Sequence, residues 1–303
     1  QDLAVANYSS NNVSILRGNG MGGFSLTANI TVAGPGNVAV SDFNSDGKQD
    51  LAITYYDNNL GQGGFSIALG DGQGGFGSPT QIATANALPK VMAVGDFNSD
   101  GKQDLAIVGG QFILIRLGDG LGGFSSGAAV DAGNGSNFVT VGDFNGDGKQ
   151  DLAATSGFQS VAIRLGDGLG NFSGSTMIGA GNSPFSIEVS DFNSDGKQDL
   201  VISNADSDTL SIRLGDGAGG FTNLTEFSSV YAPLSVVVGD FNGDMQLDLA
   251  VANQGSNNVS VLLGDDIVGF KPTIDFAVGK IPYVVAVGDF DGDTKPDLVT
   301  ANG

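Results

Sequence analysis

A nine-residue acidic loop, first complete at residues 42–50 with the sequence DFNSDGKQD, limits what this chain can fold into more than any other feature. The loop begins again at Asp96, Asp143, Asp191, Asp240 and Asp289, so successive copies lie 54, 47, 48, 49 and 49 residues apart. A period of this size, carrying the same polar residues each time, is typical of a repeat architecture. The chain is therefore predicted to be a single repeat domain over residues 1–303.

Each copy of the loop carries a set of oxygen donors. In the first copy, positions 1, 3, 5 and 9 are Asp42, Asn44, Asp46 and Asp50, and position 7, Lys48, offers its backbone carbonyl. Alternating oxygen donors with Gly at position 6 are similar to the first half of an EF-hand loop and suit Ca²⁺. Mg²⁺ favours a smaller octahedral shell, and the chain has no His or Cys for zinc or copper. A plain polar turn rich in Asp, Asn and Gly is the alternative, although a turn alone does not require the same donors six times.

The sequence thus predicts up to six calcium ions as cofactors, with ligands at the same five positions of every copy. The predicted metal ligands are Asp42, Asn44, Asp46, Lys48, Asp50, Asp96, Asn98, Asp100, Lys102, Asp104, Asp143, Asn145, Asp147, Lys149, Asp151, Asp191, Asn193, Asp195, Lys197, Asp199, Asp240, Asn242, Asp244, Gln246, Asp248, Asp289, Asp291, Asp293, Lys295 and Asp297. Met245 and Thr294 replace the Gly at position 6 in the last two copies. Because a non-Gly residue there needs an uncommon backbone conformation, these two loops are predicted to bind more weakly.

The net charge of −21 favours bound metal ions and argues against a nucleic-acid or anionic-membrane partner. An acidic surface does not favour nucleic acid or an anionic membrane, and no apolar run of about 18 residues is present that could insert into one. Weak calcium loops of this kind need millimolar calcium, which is an extracellular condition. The predicted location is therefore extracellular, either secreted or at a cell surface.

Each repeat contains four short apolar segments. The first leads into the acidic loop (residues 38–40), the second leaves it (51–54), the third alternates in bulk (161–165), and the fourth follows a glycine turn such as residues 70–76. The absence of helical periodicity predicts an all-β fold of four-stranded β-propeller blades, with six repeats, or seven blades if the chain is a fragment. Phe follows the first loop Asp and also closes each glycine turn, so 12 of the 19 Phe are predicted to pack between blades.

On these motifs the whole chain resembles the FG-GAP (VCBS-type) repeat family, which includes the propeller of integrin α subunits and many bacterial secreted proteins. The resemblance implies a β-propeller in which each calcium loop joins the first and second strands of a blade. It also implies that positions 1, 3, 5, 7 and 9 of each copy are the ligands.

Up-and-down strands would place the acidic loops and the glycine turns on one face and the varied connections on the other. The longest varied connection, residues 55–64, is expected to expose Tyr55, Tyr56 and Asp57. Other varied segments are residues 109–112, 156–160, 204–209 and 253–258. Because varied loops on a rigid scaffold are common recognition sites, a protein or glycan partner is expected on this face. Arg116, Arg164 and Arg213, which precede three glycine turns, are expected to pair with carboxylates.

The predicted function is a non-enzymatic adhesion, binding or structural protein stabilised by calcium. A lectin-like glycan-binding module is the alternative, and a secreted carbohydrate-active enzyme is the less favoured one, since the clustered carboxylates belong to the loops and only Glu188 and Glu226 are glutamates. The segments DLAVAN (residues 2–7) and DLVTAN (Asp297–Asn302) both have the second-strand sequence. If six blades close the ring, one of them is expected to be left unpaired, which suggests a homo-polymer formed by strand addition. If the parent protein has seven blades, both segments are expected to belong to one incomplete blade.

Overall fold

The computed structural model describes residues 1–84, 88–157, 159–228, 230–265, 269–271 and 274–303, and every regular element in these residues is a β-strand. Strands of the first half are β1 (Leu3–Asn7), β2 (Asn12–Gly18), β3 (Phe24–Thr31), β4 (Pro35–Ser41), β5 (Asp50–Asp57), β6 (Gln62–Ala68), β7 (Thr80–Ala83), β8 (Pro89–Gly95), β9 (Asp104–Gly109), β10 (Phe112–Gly118), β11 (Phe124–Asp131) and β12 (Val139–Gly142). The others are β13 (Asp151–Ser156), β14 (Ser160–Gly166), β15 (Phe172–Gly179), β16 (Pro184–Ser190), β17 (Asp199–Asn204), β18 (Thr209–Gly215), β19 (Phe221–Phe227), β20 (Pro233–Gly239), β21 (Asp248–Asn253), β22 (Asn258–Leu262), β23 (Ile274–Ala277), β24 (Pro282–Gly288) and β25 (Asp297–Asn302).

Consecutive strands pair into meander sheets. Five sheets have four strands each, namely β4 to β7, β8 to β11, β12 to β15, β16 to β19 and β20 to β23, while β1 to β3 and β24 with β25 form smaller ones. The pairings are antiparallel, as between Leu51 of β5 and Val40 of β4. The predicted all-β architecture of repeated four-stranded sheets is confirmed.

The chain divides into two compact units. Unit 1 comprises Gln1–Val141 and Gly166–Ser173, and unit 2 comprises Gly142–Leu165 and Gly174–Gly303. Each unit contains several consecutive repeats, so repeat-to-repeat packing can be followed within each.

Acidic loops and glycine turns lie at the same end of each sheet, as predicted. The acidic loop joins β4 to β5, and the glycine turn follows β6, where Gly70 N–H donates to Oδ1 of Asp50 at 2.7 Å. The repeated Phe residues pack between neighbouring sheets at this end. Within unit 1, Phe43 meets Phe124 edge-to-face with ring centroids 5.8 Å apart, and Phe97 meets Phe172 at 5.6 Å. The core assignment of these rings is therefore confirmed.

A core within each unit continues from these Phe residues along the sheets. In unit 1, Phe65 and Ile67 of β6 are buried against Leu105 and Ile107 of β9. In unit 2, Val201 and Ile212 are buried against Val236, Leu249 and Val251 of the following sheet. Strands covered on both faces read as continuous apolar runs, which explains why β9, β13, β17 and β21 show no alternation.

The prediction of a long loop at residues 55–64 is wrong. Strand β5 continues to Asp57, with Tyr56 opposite Gly63 in β6, and the turn itself spans only residues 58–61. Tyr55 is buried, 7% exposed, because its ring packs over the side-chain-free Gly64. The extra residues of this repeat mainly lengthen the β5–β6 strand pair, so the connection at its tip is a short turn. Within the segment 156–160, Phe158 lies outside the described residues.

Each of the two DLxxAN segments has a partner strand. Residues Leu3–Asn7 form β1 and pair with β2, with Leu3 opposite Leu16, while Asp297–Asn302 form β25 and pair with β24, with Val299 opposite Ala286. The expectation that one segment lacks a partner strand is therefore wrong. Self-association through a strand edge stays a prediction.

Candidate metal centre

The acidic loops are numbered 1 to 6 in chain order and begin at Asp42, Asp96, Asp143, Asp191, Asp240 and Asp289. In loop 1 the position-1 carboxylate of Asp42 accepts the N–H groups of Asp46 at 3.1 Å and Gly47 at 2.7 Å. Asn44 Oδ1 accepts the same Asp46 N–H, and Asp46 Oδ1 accepts the N–H of Lys48. These bonds curl the backbone around the oxygens of positions 1, 3 and 5, which therefore face one small volume. The Lys48 N–H bond also lowers the pKa of Asp46, so its carboxylate is ionised at neutral pH.

The clearest convergence of carboxylates occurs in loop 6. One carboxylate oxygen from each of Asp289, Asp291 and Asp297 lies within 4.8 Å of the other two. A single ion bound at 2.3–2.6 Å from each oxygen would span about this separation, so the donor set fits Ca²⁺. In the other five loops position 3 is Asn, and the equivalent trio is two carboxylates and an amide oxygen.

The position-9 Asp has a structural role that the sequence pattern did not reveal. Asp104 in loop 2 is fully buried, and its Oδ2 accepts the N–H of Phe97 while its Oδ1 accepts the N–H of Gly118. Burial raises the pKa of Asp104 against the opposing effect of these two bonds. The same bonds form in loops 1, 4 and 5, so the carboxylate fastens each acidic loop to its glycine turn. The signal was present in the sequence: position 9 is Asp in every copy, directly before the buried strand.

We expect Asp104→Ala to destabilise the protein even in chelator, by about 2 kcal/mol, because two buried N–H groups lose their acceptor. Asp100→Ala in the same loop removes an exposed position-5 carboxylate and should have little effect in chelator but reduce the gain in stability on adding calcium. Urea unfolding with and without calcium measures both. Equal behaviour of the two variants in chelator would contradict the structural role of position 9.

Lysine at position 7 adds an ion pair that the sequence analysis missed. Nζ of Lys48 lies 3.2 Å from Oδ2 of Asp46, and the corresponding pairs occur in loops 2, 3, 4 and 6. Exposed pairs of this kind contribute little to stability, but the ammonium occupies one oxygen of a predicted ligand. Loop 5 carries the uncharged Gln246 at this position and therefore has no ammonium group there.

The backbone of loops 5 and 6 keeps the geometry of the others. Met245 and Thr294 adopt φ of 66° and 68°, close to the 81° of Gly47, and Met245 N–H still donates to Asp240 Oδ2 at 2.9 Å. Position 4 is also left-handed in every loop, with Ser45 at 58° and Gly243 at 79°. Loops 1, 2, 4, 5 and 6 therefore each hold one strained non-Gly residue, at position 4 or at position 6. The prediction that loops 5 and 6 bind calcium more weakly was based on position 6 alone, and it stays a prediction.

We expect Met245→Gly to stabilise the protein in chelator by roughly 0.5–1 kcal/mol, because relief of left-handed strain exceeds the entropy cost of Gly. Ser45→Gly should do the same. Gly148→Ala in loop 3, where no atom would contact the added Cβ, should be destabilising through the backbone alone. Urea unfolding of the three variants tests this, and a destabilised Met245→Gly would contradict it.

The Asp residues of the glycine turns form turns, as predicted. Asp71 Oδ1 accepts the N–H groups of Gln73 at 2.7 Å and Gly75 at 3.0 Å, which lowers the pKa of Asp71. Asn19 makes the same two bonds in the first copy, so the charge is not needed. In the sixth turn, residues 266–268 lie outside the described residues.

Arg116 and Arg213, which precede two of the glycine turns, bond to backbone carbonyls. Burial lowers the pKa of Arg213, and the charge of Glu226 opposes that shift. Arg213 Nε donates to the carbonyl of Gly179 at 2.8 Å, and Arg116 Nη1 donates to the carbonyl of Ile115 at 3.0 Å. Neither guanidinium forms an ion pair within the described part of the chain. Arg164 is buried and also donates to a carbonyl, that of Ile163. These side chains bond to backbone carbonyls within and between strands.

At the opposite end of the sheets, the short turns are held by their own polar side chains. Asn253 Nδ2 donates to Asn258 and to Ser260, and Asn204 bonds to Thr209 and Ser211 in the same way. Much of the sequence variation here is therefore structural. Tyr8, in the turn after β1, is 50% exposed, and its hydroxyl accepts a hydrogen bond from Asn58 Nδ2 at 2.8 Å.

Comparison with known proteins gives a family match along nearly the whole chain. The model of the FG-GAP-like repeat matches six times, over residues 1–53, 42–107, 96–154, 143–202, 191–251 and 240–300. No curated protein matches the sequence. In the described residues no helix is long and apolar enough to cross a membrane.

Solved structures share the fold at low sequence identity. A Lactobacillus plantarum protein aligns with a TM-score of 0.76 at 14% identity, covering 99% of this chain and 87% of that one. A putative 6-phosphogluconolactonase from Bacteroides uniformis aligns at 0.71 and 17% identity, covering 98% and 84%. An Agrocybe aegerita lectin that recognises non-reducing terminal N-acetylglucosamine aligns at 0.63 and 16% identity, covering 99% and 84%. At these identities the likeness is one of fold alone.

Proposed function

Because the chain belongs to the FG-GAP-like repeat family and has a β-propeller fold of six repeats, we propose that it is a calcium-stabilised, non-enzymatic binding module of the extracellular space. FG-GAP-like repeats are typical of extracellular proteins, and calcium loops of modest affinity are filled there. The observation that carries the proposal is the convergence of the Asp289, Asp291 and Asp297 oxygens in a loop whose pattern occurs six times. Calcium would hold each loop against its strand pair.

Calorimetric titration of chelator-treated protein tests the metal. We expect up to six calcium ions to bind, and we expect magnesium at the same concentration to give much less heat. Asp289→Asn combined with Asp291→Asn should remove one ion. Wild-type protein that takes up no calcium would contradict the proposal.

The absence of catalysis is part of the proposal. The chain has no His or Cys, and its clustered carboxylates belong to the acidic loops. Glu188 lies on a sheet face opposite Val201 in β17, and among the described residues burial alone, not the charge of a second carboxylate, raises its pKa. The likeness to a putative lactonase is one of fold alone and does not argue for catalysis in this chain.

A lectin-like role is the second candidate, and Tyr8 supports it. Its ring lies against Gly34, where an added Cβ would be 3.2 Å from ring atom Cε2, and its hydroxyl is fixed by Asn58. The neighbouring Asp57 accepts the N–H groups of Asn59 and Leu60, which orders the turn. A half-exposed aromatic ring held beside amide and carboxylate groups suits the apolar face and hydroxyls of a sugar ring.

A glycan array at millimolar calcium tests this role. We expect Tyr8→Ala to abolish a glycan signal given by the wild type. Tyr231→Ala is the matched control, because Tyr231 is also an exposed ring packed on a glycine, Gly255, with 57% of its surface accessible. An empty array, or equal losses in both variants, would contradict a glycan site at Tyr8.

A further inference from the structure

In unit 2, a side chain that the loop pattern does not require connects two acidic loops. Gln198 occupies position 8 of loop 4, and its Oε1 accepts the backbone N–H of Asp143 at 2.7 Å. Asp143 is position 1 of loop 3, and its carboxylate accepts the N–H groups of Asp147 and Gly148. The glutamine therefore fixes the residue around which the oxygens of loop 3 are arranged.

The glycine turn at residues 215–221 joins the same two loops a second time. Gly215 N–H donates to Oδ1 of Asp199, which is position 9 of loop 4. At the other end of the turn, Gly219 N–H donates to the carbonyl of Phe144, position 2 of loop 3, at 2.9 Å. Loop 4 and loop 3 thus share a continuous set of hydrogen bonds.

The bond from Gln198 depends on a glycine in front of loop 3. A Cβ on Gly142 would overlap Oε1 of Gln198, so a larger residue there would displace the amide. Loop 1 is preceded by Ser41, and the side chain of Gln103, position 8 of loop 2, forms no bond to loop 1 within the described residues. Loops 5 and 6 carry Leu247 and Pro296 at position 8, which have no side-chain acceptor.

We propose that Gln198 is a positioning residue that couples calcium binding in loop 4 to calcium binding in loop 3. The inference rests on the proposed calcium binding. When loop 4 is ordered around an ion, Gln198 is held in place and loop 3 has less freedom to lose when it binds. Coupling of this kind is reciprocal, so each loop raises the affinity of the other by the same factor. One hydrogen bond predicts a factor of roughly three to ten.

The test is a calcium titration that resolves individual loops in the full chain. The position-6 glycine amides, Gly148 for loop 3 and Gly196 for loop 4, give separate NMR reporters. Gln198→Leu should weaken calcium binding in loop 3, as reported by the Gly148 amide, by roughly three- to tenfold. Gln103→Leu is the matched control, and it should leave calcium binding in loop 1, as reported by the Gly47 amide, unchanged. Melting in chelator verifies that both variants are folded.

A double-mutant cycle separates coupling from simple weakening. Asp195→Ala, which disables loop 4, should lower the affinity of loop 3 in the wild type and have a clearly smaller effect in Gln198→Leu, where only the link through the glycine turn remains. If Gln198→Leu and Gln103→Leu bind calcium alike, the coupling is wrong while the proposed calcium binding stands. If the wild type binds no calcium at any reporter, the proposed function is wrong and the coupling with it.

Discussion

Calcium is expected to raise the melting temperature of this protein by roughly 20 °C or more relative to chelator, the largest effect we predict. The loops concentrate carboxylates that repel one another when no cation is present: the Asp289, Asp291 and Asp297 oxygens lie within 4.8 Å. A ligand that binds only the folded state stabilises it by about 2.7 kcal/mol per site at a hundredfold excess over Kd. Six independent sites would contribute roughly 16 kcal/mol.

Differential scanning calorimetry in chelator, in magnesium and in calcium measures this effect. Magnesium should give a much smaller shift, because it retains its waters and prefers an octahedral shell. The variant Asp46→Asn, which weakens loop 1 alone, should lose about one sixth of the calcium shift. Identical melting in chelator and in calcium would exclude calcium as the stabilising ion.

The difference in unfolding free energy between Glu188→Gln and the wild type is expected to depend strongly on pH. Glu188 of β16 pairs with Val201, which in turn pairs with Ile212, so its carboxyl lies on the sheet face whose apolar residues pack in unit 2. The equivalent residue three positions before the other acidic loops is Ala39, Ala93, Thr140, Val237 or Ala286. Burial raises the pKa of Glu188 from 4.5 to about 7.

The direction of the effect follows from this raised pKa. Below pH 4.5 the carboxyl is neutral in the folded and unfolded states, and its burial carries no charge penalty. As the pH rises from 4.5 to 7 the carboxyl ionises in the unfolded state but stays protonated in the folded state. The unfolded state is therefore stabilised, and the free energy of unfolding of the wild type falls. Glu188→Gln should therefore match the wild type near pH 4.5 and be more stable by about 3 kcal/mol above pH 7.

Urea unfolding between pH 4.5 and 8.5 in chelator tests this difference, and the other titrating groups cancel between variant and wild type. Glu226→Gln is the matched control, since Glu226 is the chain's other glutamate and its side chain is exposed. A Glu188→Gln difference that does not vary with pH would show that the carboxyl is not buried as described.

Several features followed from the sequence alone. The period, the four-strand repeat, the shared end of the acidic loops and glycine turns, and the packing of Phe43 and Phe97 could all be predicted. These features depend on local backbone conformation and on periodic burial, and both are encoded within a single repeat. The Asp71 turn was predictable for the same reason, because its bonds reach only four residues ahead.

Only the tertiary structure decided which polar residues were buried and which loops were joined. Tyr55 could not be placed in a buried strand until Gly64 was seen beneath its ring. The double role of Asp104 depends on the neighbouring strand β10, the link from Gln198 to Asp143 spans 55 residues, and the partial burial of Glu188 depends on the packing of its sheet face. The repeat pattern specifies the strands, acidic loop and glycine turn that each repeat contributes. The contacts between one repeat and the next depend on residues that differ among copies, such as Gly142 and Ser41, and those become visible only when the sheets are packed.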